Sequence, residues 1–164
     1  FSRGGSMSIF KRTPKLEPTW TEPKPTTPTW FDVAKKEIGV KEKRGGENPR
    51  IIEYHSTTTL SADEDEVSWC SSFVNWCFKQ VNIKGTNNAA ARSWLNWGTE
   101  LKEPKQGCVV IYWRVAPDSW QGHVGFVDRV EAGKVYTLGG NQGDAVSIKS
   151  FPKSQVLGYR WPKT

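Results

Sequence analysis

The sequence lacks several features that define large protein classes. None of its apolar runs approaches the roughly 20 residues that a membrane-spanning helix needs. It has only two histidines and no Cys-x-x-Cys pair, so the ligand set of a structural zinc site is missing. The glycine-rich fingerprints of nucleotide-binding loops are missing as well. We therefore expect no stable membrane insertion, no metal and no cofactor.

Cysteine is scarce, and its three positions are Cys70, Cys77 and Cys108. An odd and small number of cysteines is not a disulfide framework. Cys70 and Cys77 lie on one predicted helix, where seven residues separate them by about 10 Å along the axis. That separation is too long for a disulfide. The sequence therefore predicts three free thiols.

Positive charge is in excess, with a formal net charge of +6. Such a balance favours a polyanionic partner, which can be a nucleic acid, an acidic lipid surface or an anionic cell wall. The Lys and Arg residues are scattered, and neither a zinc finger nor an aromatic RNA-binding strand occurs. We therefore predict no nucleic-acid partner. We also expect a monomer.

Two segments are predicted from composition. Residues 1–28 begin with FSRGGS before Met7, which resembles a cloning remnant, and continue as a Pro- and Thr-rich leader that we expect to be flexible. Residues 29–164 form the predicted single domain. No secretory signal is visible, so we expect synthesis in a cytoplasm without a signal peptide.

Helical patterns dominate the first half of this domain. We expect Thr29 to cap a short helix, and Asn48 to cap a second one that starts with Pro49. A third helix, buried on most sides, is predicted from Ser68. A fourth, in NNAAARSWLNWG, should end at Gly98.

Short β-rich runs follow Gly98: GCVVIYWR, GHVGFVDRV, KVYTLGGN and AVSIKSF. The EAGK stretch between two of them predicts a hairpin turn. Because helices come first and strands second, the sequence predicts an α+β fold with N-terminal helices packed on a C-terminal antiparallel sheet.

Cys70 is the residue best placed for chemistry. The N-terminal end of a helix carries partial positive charge and unpaired N–H groups, which favour a thiolate and can hold an oxyanion. The acidic run 63–66 works against ionisation unless it points into solvent. This run is rich in oxygen ligands but lacks the spacing of a calcium loop, so a bound cation there stays an open alternative.

A nucleophilic cysteine needs a base, and His123 is the better of the two histidines. It begins a predicted strand between two glycines that allow another segment to approach closely. Asn141 returns to the same end of the predicted hairpin and is the first choice as orienting residue, with Asp128 and Asp144 as alternatives. His55 fits a surface or hydrogen-bonded role.

Four motifs in this order, WCSSFVNWC, ARSWLNWG, GHVGFV and LGGNQ, resemble cell-wall hydrolases of the NlpC/CHAP type. The resemblance runs from about residue 30 to residue 162. It implies a papain-like α+β fold in which Cys70 is the nucleophile, His123 the base and Asn141 the third polar residue. Many CHAP members have an acid two residues before that asparagine, where this chain has Gly139. Relatives often have an aspartate where this chain has Cys108.

The resemblance also implies a substrate, bacterial peptidoglycan, cleaved at the muramoyl–L-alanine amide or within the stem peptide. A phage endolysin acting in the periplasm or cell wall is the first expectation. Alternatives are a secreted antibacterial effector, a non-catalytic wall-binding module and a deamidase or transglutaminase toxin. Asn75 or Tyr54 is expected to help stabilise the oxyanion. The residues predicted to bind substrate are Tyr54, Trp69, Asn75, Trp94 and Gln142.

Overall fold

The computed structural model describes residues 28–42, 48–58, 69–119 and 121–163. The predicted leader lies outside the described residues except for Pro28. The acidic run 63–66, with its open question of a bound cation, lies outside them too.

Three α-helices form the N-terminal half: α1 (Thr29–Lys36), α2 (Pro49–His55) and α3 (Cys70–Gln80). The start of α2 is as predicted, because the Asn48 side chain accepts a hydrogen bond from the Arg50 N–H. The start of α1 differs. Pro28 occupies the N-cap position and Thr29 is already helical, so the predicted capping role of Thr29 is wrong.

Helix α3 is buried along most of its length, as its apolar pattern predicts. It begins at Cys70, with Trp69 as the residue before it. The predicted fourth helix is a single 3₁₀ segment, Ala91–Asn96, and Gly98 at φ +64° follows it. None of the described helices combines the length and the apolar character that a membrane span requires.

The C-terminal half is one antiparallel sheet of six strands in the order β1-β6-β2-β3-β4-β5. The strands are β1 (Thr99–Leu101), β2 (Val109–Trp113), β3 (Gly122–Glu131), β4 (Lys134–Gly139), β5 (Ser147–Pro152) and β6 (Val156–Trp161). The predicted α+β class is therefore confirmed. The sequence did not reveal β1 and β6, which are the first and last strands along the chain and pair with each other.

The predicted turn between β3 and β4 is confirmed. Ala132 and Gly133 both have positive φ, +50° and +76°, which is the backbone of a tight hairpin turn. This turn brings the end of β4 back to the beginning of β3.

The two faces of the sheet pack against different side chains. Val124 and Phe126 face the helices and join the main core, which includes Phe73 of α3. The alternate residues of β2 and β3 face the other way, where Tyr112 and Val127 belong to a second, smaller cluster. His123 pairs with Tyr112 across the strands and therefore lies on this second face.

The segment after β4 touches both faces. A Cβ atom added at Gly140 would lie 2.8 Å from the Phe73 Cβ and from the Trp69 ring, on the helix side. A Cβ atom added at Gly139 would lie 3.5 Å from Nε2 of His123, on the other side. The start of α3 and the start of β3 therefore meet at a corner formed by residues 139–140.

We expect Gly140→Ala to lower the free energy of unfolding by about 1–3 kcal/mol, because the added methyl group overpacks the contact with Phe73 and Trp69. Urea denaturation measures the change. Gly133→Ala is the matched control, since nothing lies within 4 Å of its added Cβ and only its positive φ costs about 1 kcal/mol. A Gly140→Ala protein as stable as wild type would show that this corner is not tightly packed.

Candidate active site

Cys70 is the first residue of α3 and is 1% exposed. Side chains fix the first turn of this helix from two directions. The Ser71 hydroxyl donates to the Asn88 carbonyl (2.6 Å) and accepts from Nε1 of Trp94 (2.9 Å). The Ser72 hydroxyl contacts Nδ1 of His55 at 3.1 Å. Cys70 therefore sits in a fixed backbone at the positive end of the helix dipole.

His123 is the second residue of β3 and is 6% exposed. Its ring lies among aromatic neighbours, with its centroid 5.2 Å from that of Phe151 and 6.3 Å from that of Tyr112. Its Nε2 atom lies 2.8 Å from Oε1 of Gln142. The imidazole is thus held both by ring contacts and by one hydrogen bond.

The carboxamide of Gln142 can adopt only one orientation here. Its Nε2 atom donates to two backbone carbonyls, that of Thr137 at 3.0 Å and that of Ser147 at 2.7 Å. A flipped amide would turn its oxygen towards both carbonyls and lose both hydrogen bonds. Because Oε1 must therefore face His123, and an amide oxygen only accepts, the imidazole carries its proton on Nε2. Nδ1 is left as the basic nitrogen.

The absence of a side chain at Gly139 leaves room for the carboxamide of Gln142 beside His123. A Cβ atom at residue 139 would lie 2.7 Å from Oε1 of Gln142, inside the space that the carboxamide occupies. A larger side chain at residue 139 and the observed Gln142 side chain exclude each other. The glutamine oxygen occupies the position next to Nε2 of His123.

The structure places Asn141 beside His123 and brings Gln142 into direct contact with the imidazole. Asn141 lines a cleft beside His123 and has φ +59°. Gln142, predicted to bind substrate, is buried, and its side-chain oxygen and nitrogen both bond within the protein. Its observed role is to hold the histidine. The catalytic role of Asn141 stays a prediction.

Other residues predicted to bind substrate belong to the core. Tyr54 and Trp94 are fully buried, and Tyr54 donates to a carboxylate oxygen of Glu37 at 2.8 Å. Asn75 is 3% exposed, and its Oδ1 accepts from the Asn87 N–H. These three predictions are wrong, because aromatic and amide residues on a buried helix or beside it serve packing and internal hydrogen bonds. Trp69 is 3% exposed, so it presents little surface to a ligand.

The two remaining thiols lie in the interior of the protein, and the prediction of three free thiols is confirmed. Cys77 and Cys108 are fully buried and are free cysteines. Burial raises the pKa of the Cys77 thiol well above its usual range, and nearby Glu37 adds to this effect. Burial raises the pKa of Cys108 to about 11. His55 is partly buried, which lowers its pKa, and it bonds to Ser72.

No pattern in the sequence predicts the cleft beside His123, which has a volume of about 240 Å³. Two cationic side chains, Arg114 and Lys149, line it together with polar and aromatic residues. These cations come from a loop and from an edge strand that are far apart in sequence. Only the strand pairing brings them together.

Comparison with known proteins identifies one family. Residues 62–141 match the CHAP domain, and this match confirms the NlpC/CHAP resemblance predicted from the sequence. The helices and the six-stranded antiparallel sheet fit the papain-like α+β fold that the resemblance implies. A comparison of the sequence with curated proteins finds no match.

Similar solved structures include two NlpC/P60 proteins. One is a lipoprotein-like NLP/P60 family member from Staphylococcus aureus, with 16% identity and a TM-score of 0.46; the similarity covers 88% of this chain and 46% of that protein. The other is the NlpC/p60 domain of the peptidoglycan hydrolase SagA, with 17% identity and a TM-score of 0.46; it covers 81% of this chain and 96% of that domain.

We expect Cys77 and Cys108 to resist alkylation in the folded protein. At pH 8 a thiol with a pKa of about 11 is ionised in about one molecule per thousand, against about one in four for a free cysteine. Iodoacetamide should therefore modify both at least about 100-fold more slowly than it modifies a cysteine peptide. Mass spectrometry of digested protein measures the rates, and the same reaction in urea is the control. Fast labelling of Cys108 in the folded state would contradict its burial.

Proposed function

We propose that this chain, of which residues 62–141 match the CHAP domain, is a peptidoglycan hydrolase that cleaves an amide bond, with Cys70 as nucleophile and His123 as base. The family match supports a peptidoglycan hydrolase. The observation that carries the residue assignment is the hydrogen bond from His123 to Gln142, because it leaves Nδ1 basic. A base with a fixed tautomer is what a thiol nucleophile requires.

The reaction begins when Nδ1 of His123 takes the thiol proton of Cys70. The resulting thiolate attacks the amide carbonyl carbon, and N–H groups of the first turn of α3 stabilise the tetrahedral oxyanion. The C–N bond then breaks while the imidazolium gives its proton to the leaving amine. Water attacks the thioester, His123 accepts a proton from it, and the carboxylic acid product and the Cys70 thiol are released.

Helix α3 supplies both electrostatic elements of this scheme. Cys70 is its first residue, so the helix dipole favours the thiolate. The bonds of Ser71 to Asn88 and Trp94 keep that turn in place while charge develops. The corner at residues 139–140 connects this turn with His123. A rigid support of this kind is needed, since misplacement of a reacting group by about 1 Å can cost about 100-fold in rate.

The scissile bond in this proposal is the muramoyl–L-alanine amide or an amide within the stem peptide. We favour a phage endolysin that is made in a host cytoplasm and acts in the periplasm or cell wall. The net charge of +6 suits an anionic wall.

We expect wild-type protein to solubilise purified peptidoglycan and Cys70→Ala to lose at least about a thousandfold in rate, because the nucleophile is removed. Mass spectrometry of the released fragments measures activity and also tells which amide is cut. Cys108→Ala, on the second face of the sheet, is the matched control and should remain active. Undiminished activity of Cys70→Ala would remove the assigned nucleophile. An inactive wild type would favour a wall-binding module.

We expect Gln142→Met to lower kcat/KM by about 10- to 100-fold, because a thioether of similar length is only a weak acceptor for the Nε2–H group and the tautomer is no longer fixed. The ¹⁵N chemical shifts of the His123 imidazole report this directly: wild type should show the Nε2–H tautomer and Gln142→Met a mixture.

The same ¹⁵N spectrum tells whether Gln142 or Asn141 orients the imidazole of His123. Asn141→Gly keeps a backbone suited to φ +59° and should leave the Nε2–H tautomer unchanged. If Asn141→Gly alters the tautomer and Gln142→Met does not, the orienting role belongs to Asn141.

A further inference from the structure

We propose that the cleft beside His123 is a subsite for a carboxylate group of the substrate, held by Arg114 and Lys149. The inference rests on the proposed function, since the stem peptides of peptidoglycan carry free carboxylates. In this proposal, Arg114 and Lys149 bind the substrate, and Cys70 and His123 react with it. The ligand class is an acidic peptide.

Both cations lie on the side of the sheet that carries His123. Lys149 of β5 is directly opposite Thr137 of β4, so its side chain shares a face with Thr137. The Thr137 hydroxyl bonds to that of Tyr112, the cross-strand neighbour of His123. Arg114 directly follows β2, and it lines the same cleft as Lys149 and His123.

The described lining of the cleft carries positive charge alone. Among the described residues that line it, none is acidic. Within the described parts of the chain, neither Arg114 nor Lys149 forms an ion pair. The Lys149 ammonium lies 5.8 Å from the centroid of the Phe151 ring, which forms part of the wall. Two cations that face a common space attract an anionic group, and a guanidinium matches the geometry of a carboxylate.

The loop that presents Arg114 is held in a strained form. Val115 has φ +69°, which is unfavourable for a β-branched residue, and the Ala116 N–H bonds to the Arg114 carbonyl at 2.7 Å. The guanidinium of Arg92 keeps this loop in place from behind. It donates to the backbone carbonyls of Ala116, Pro117 and Gln121.

A strained turn persists only where surrounding contacts enforce it, and such turns concentrate at binding sites. Here the enforcing contacts fix the backbone next to Arg114 before any ligand arrives. On the other side, the Gln155 side chain donates to the Trp113 carbonyl at 3.4 Å. The position of Arg114 at the mouth of the cleft is therefore prepared in advance, which lowers the entropy lost on binding.

The size of the cleft suits part of a peptide. Its volume of about 240 Å³ is below the range of about 300–1,000 Å³ typical of pockets that enclose a whole small ligand. One acidic residue can occupy it while the rest of the substrate extends along the surface. A carboxylate held there places a nearby amide bond beside His123.

The test measures binding without turnover, in the Cys70→Ala protein, by isothermal titration calorimetry. The probes are L-alanyl-γ-D-glutamyl-L-lysine with both carboxylates free and the same peptide with both converted to amides. We expect the acid to bind at least about tenfold more tightly than the amide, the gain typical of a charge-assisted hydrogen bond. Adding Arg114→Gln and Lys149→Gln should reduce this preference to within about twofold.

Lys134→Gln in the same Cys70→Ala background is the matched control, because it removes one exposed lysine at the distant hairpin and should keep the preference. Salt provides a second measurement that needs no substitution in the cleft. Raising the ionic strength should weaken binding of the acid and leave binding of the amide nearly unchanged.

Two failures can be told apart. Equal affinity for acid and amide, or no binding of the acid, overturns the carboxylate subsite even if wild type digests peptidoglycan. A preference that disappears with Arg114→Gln and Lys149→Gln supports the subsite, and if wild type then fails to digest peptidoglycan, the proposed function alone is overturned.

Discussion

The arrangement around the histidine depends on the donors and acceptors of one carboxamide. Gln142 has one acceptor and two donor hydrogens, and its surroundings offer two carbonyls and one imidazole. Only one assignment satisfies all of them. A buried polar group without a partner costs about 1–3 kcal/mol, so the alternative arrangements are strongly disfavoured. The protonation pattern of His123 is therefore set by backbone carbonyls of β4 and β5, and no charged residue is needed for it.

A neutral amide next to Nε2 of His123 affects the charge of the imidazole differently from a carboxylate. A carboxylate beside an imidazole stabilises the imidazolium strongly, whereas an amide oxygen orients the ring with less effect on its charge. It also adds no negative charge to the described lining of the cleft. An acid at residue 139 would add a negative charge next to His123, which lines this cleft, and would offset part of the attraction of its cations for an anionic ligand. With Gly139 and Gln142, the groups at these two positions next to His123 are neutral, and the attraction of the cleft for an anionic ligand is preserved.

The sequence predicted the elements that depend on local patterns. Asn48 before Pro49, the apolar run of α3 and the turn at Gly133 each carry a local physical signal, and each appears where expected. The site depends on longer-range geometry. The contact of Gln142 with His123 depends on the backbone path after β4, where Asn141 adopts a positive φ. A backbone path of this kind has no signature in composition or periodicity.

Aromatic residues were the least predictable part of the site for a related reason. A tryptophan or tyrosine suits a substrate groove as well as a core, and only the tertiary contacts separate the two roles. Trp94 and Tyr54 became core residues because Ser71 and Glu37 satisfy their polar atoms inside the protein.

The positive charges are scattered along the sequence, and the strand order brings two of them close together in space. Arg114 and Lys149 are 35 residues apart in the chain, yet β2, β3, β4 and β5 are consecutive neighbours in the sheet. Strand pairing thus brings two ordinary surface cations to either side of one histidine. Long-range attraction to an anionic wall needs only the total charge, and it weakens with salt. Selecting a particular bond needs charges at fixed positions, which here depend on the Arg92 contacts and on the register between β4 and β5.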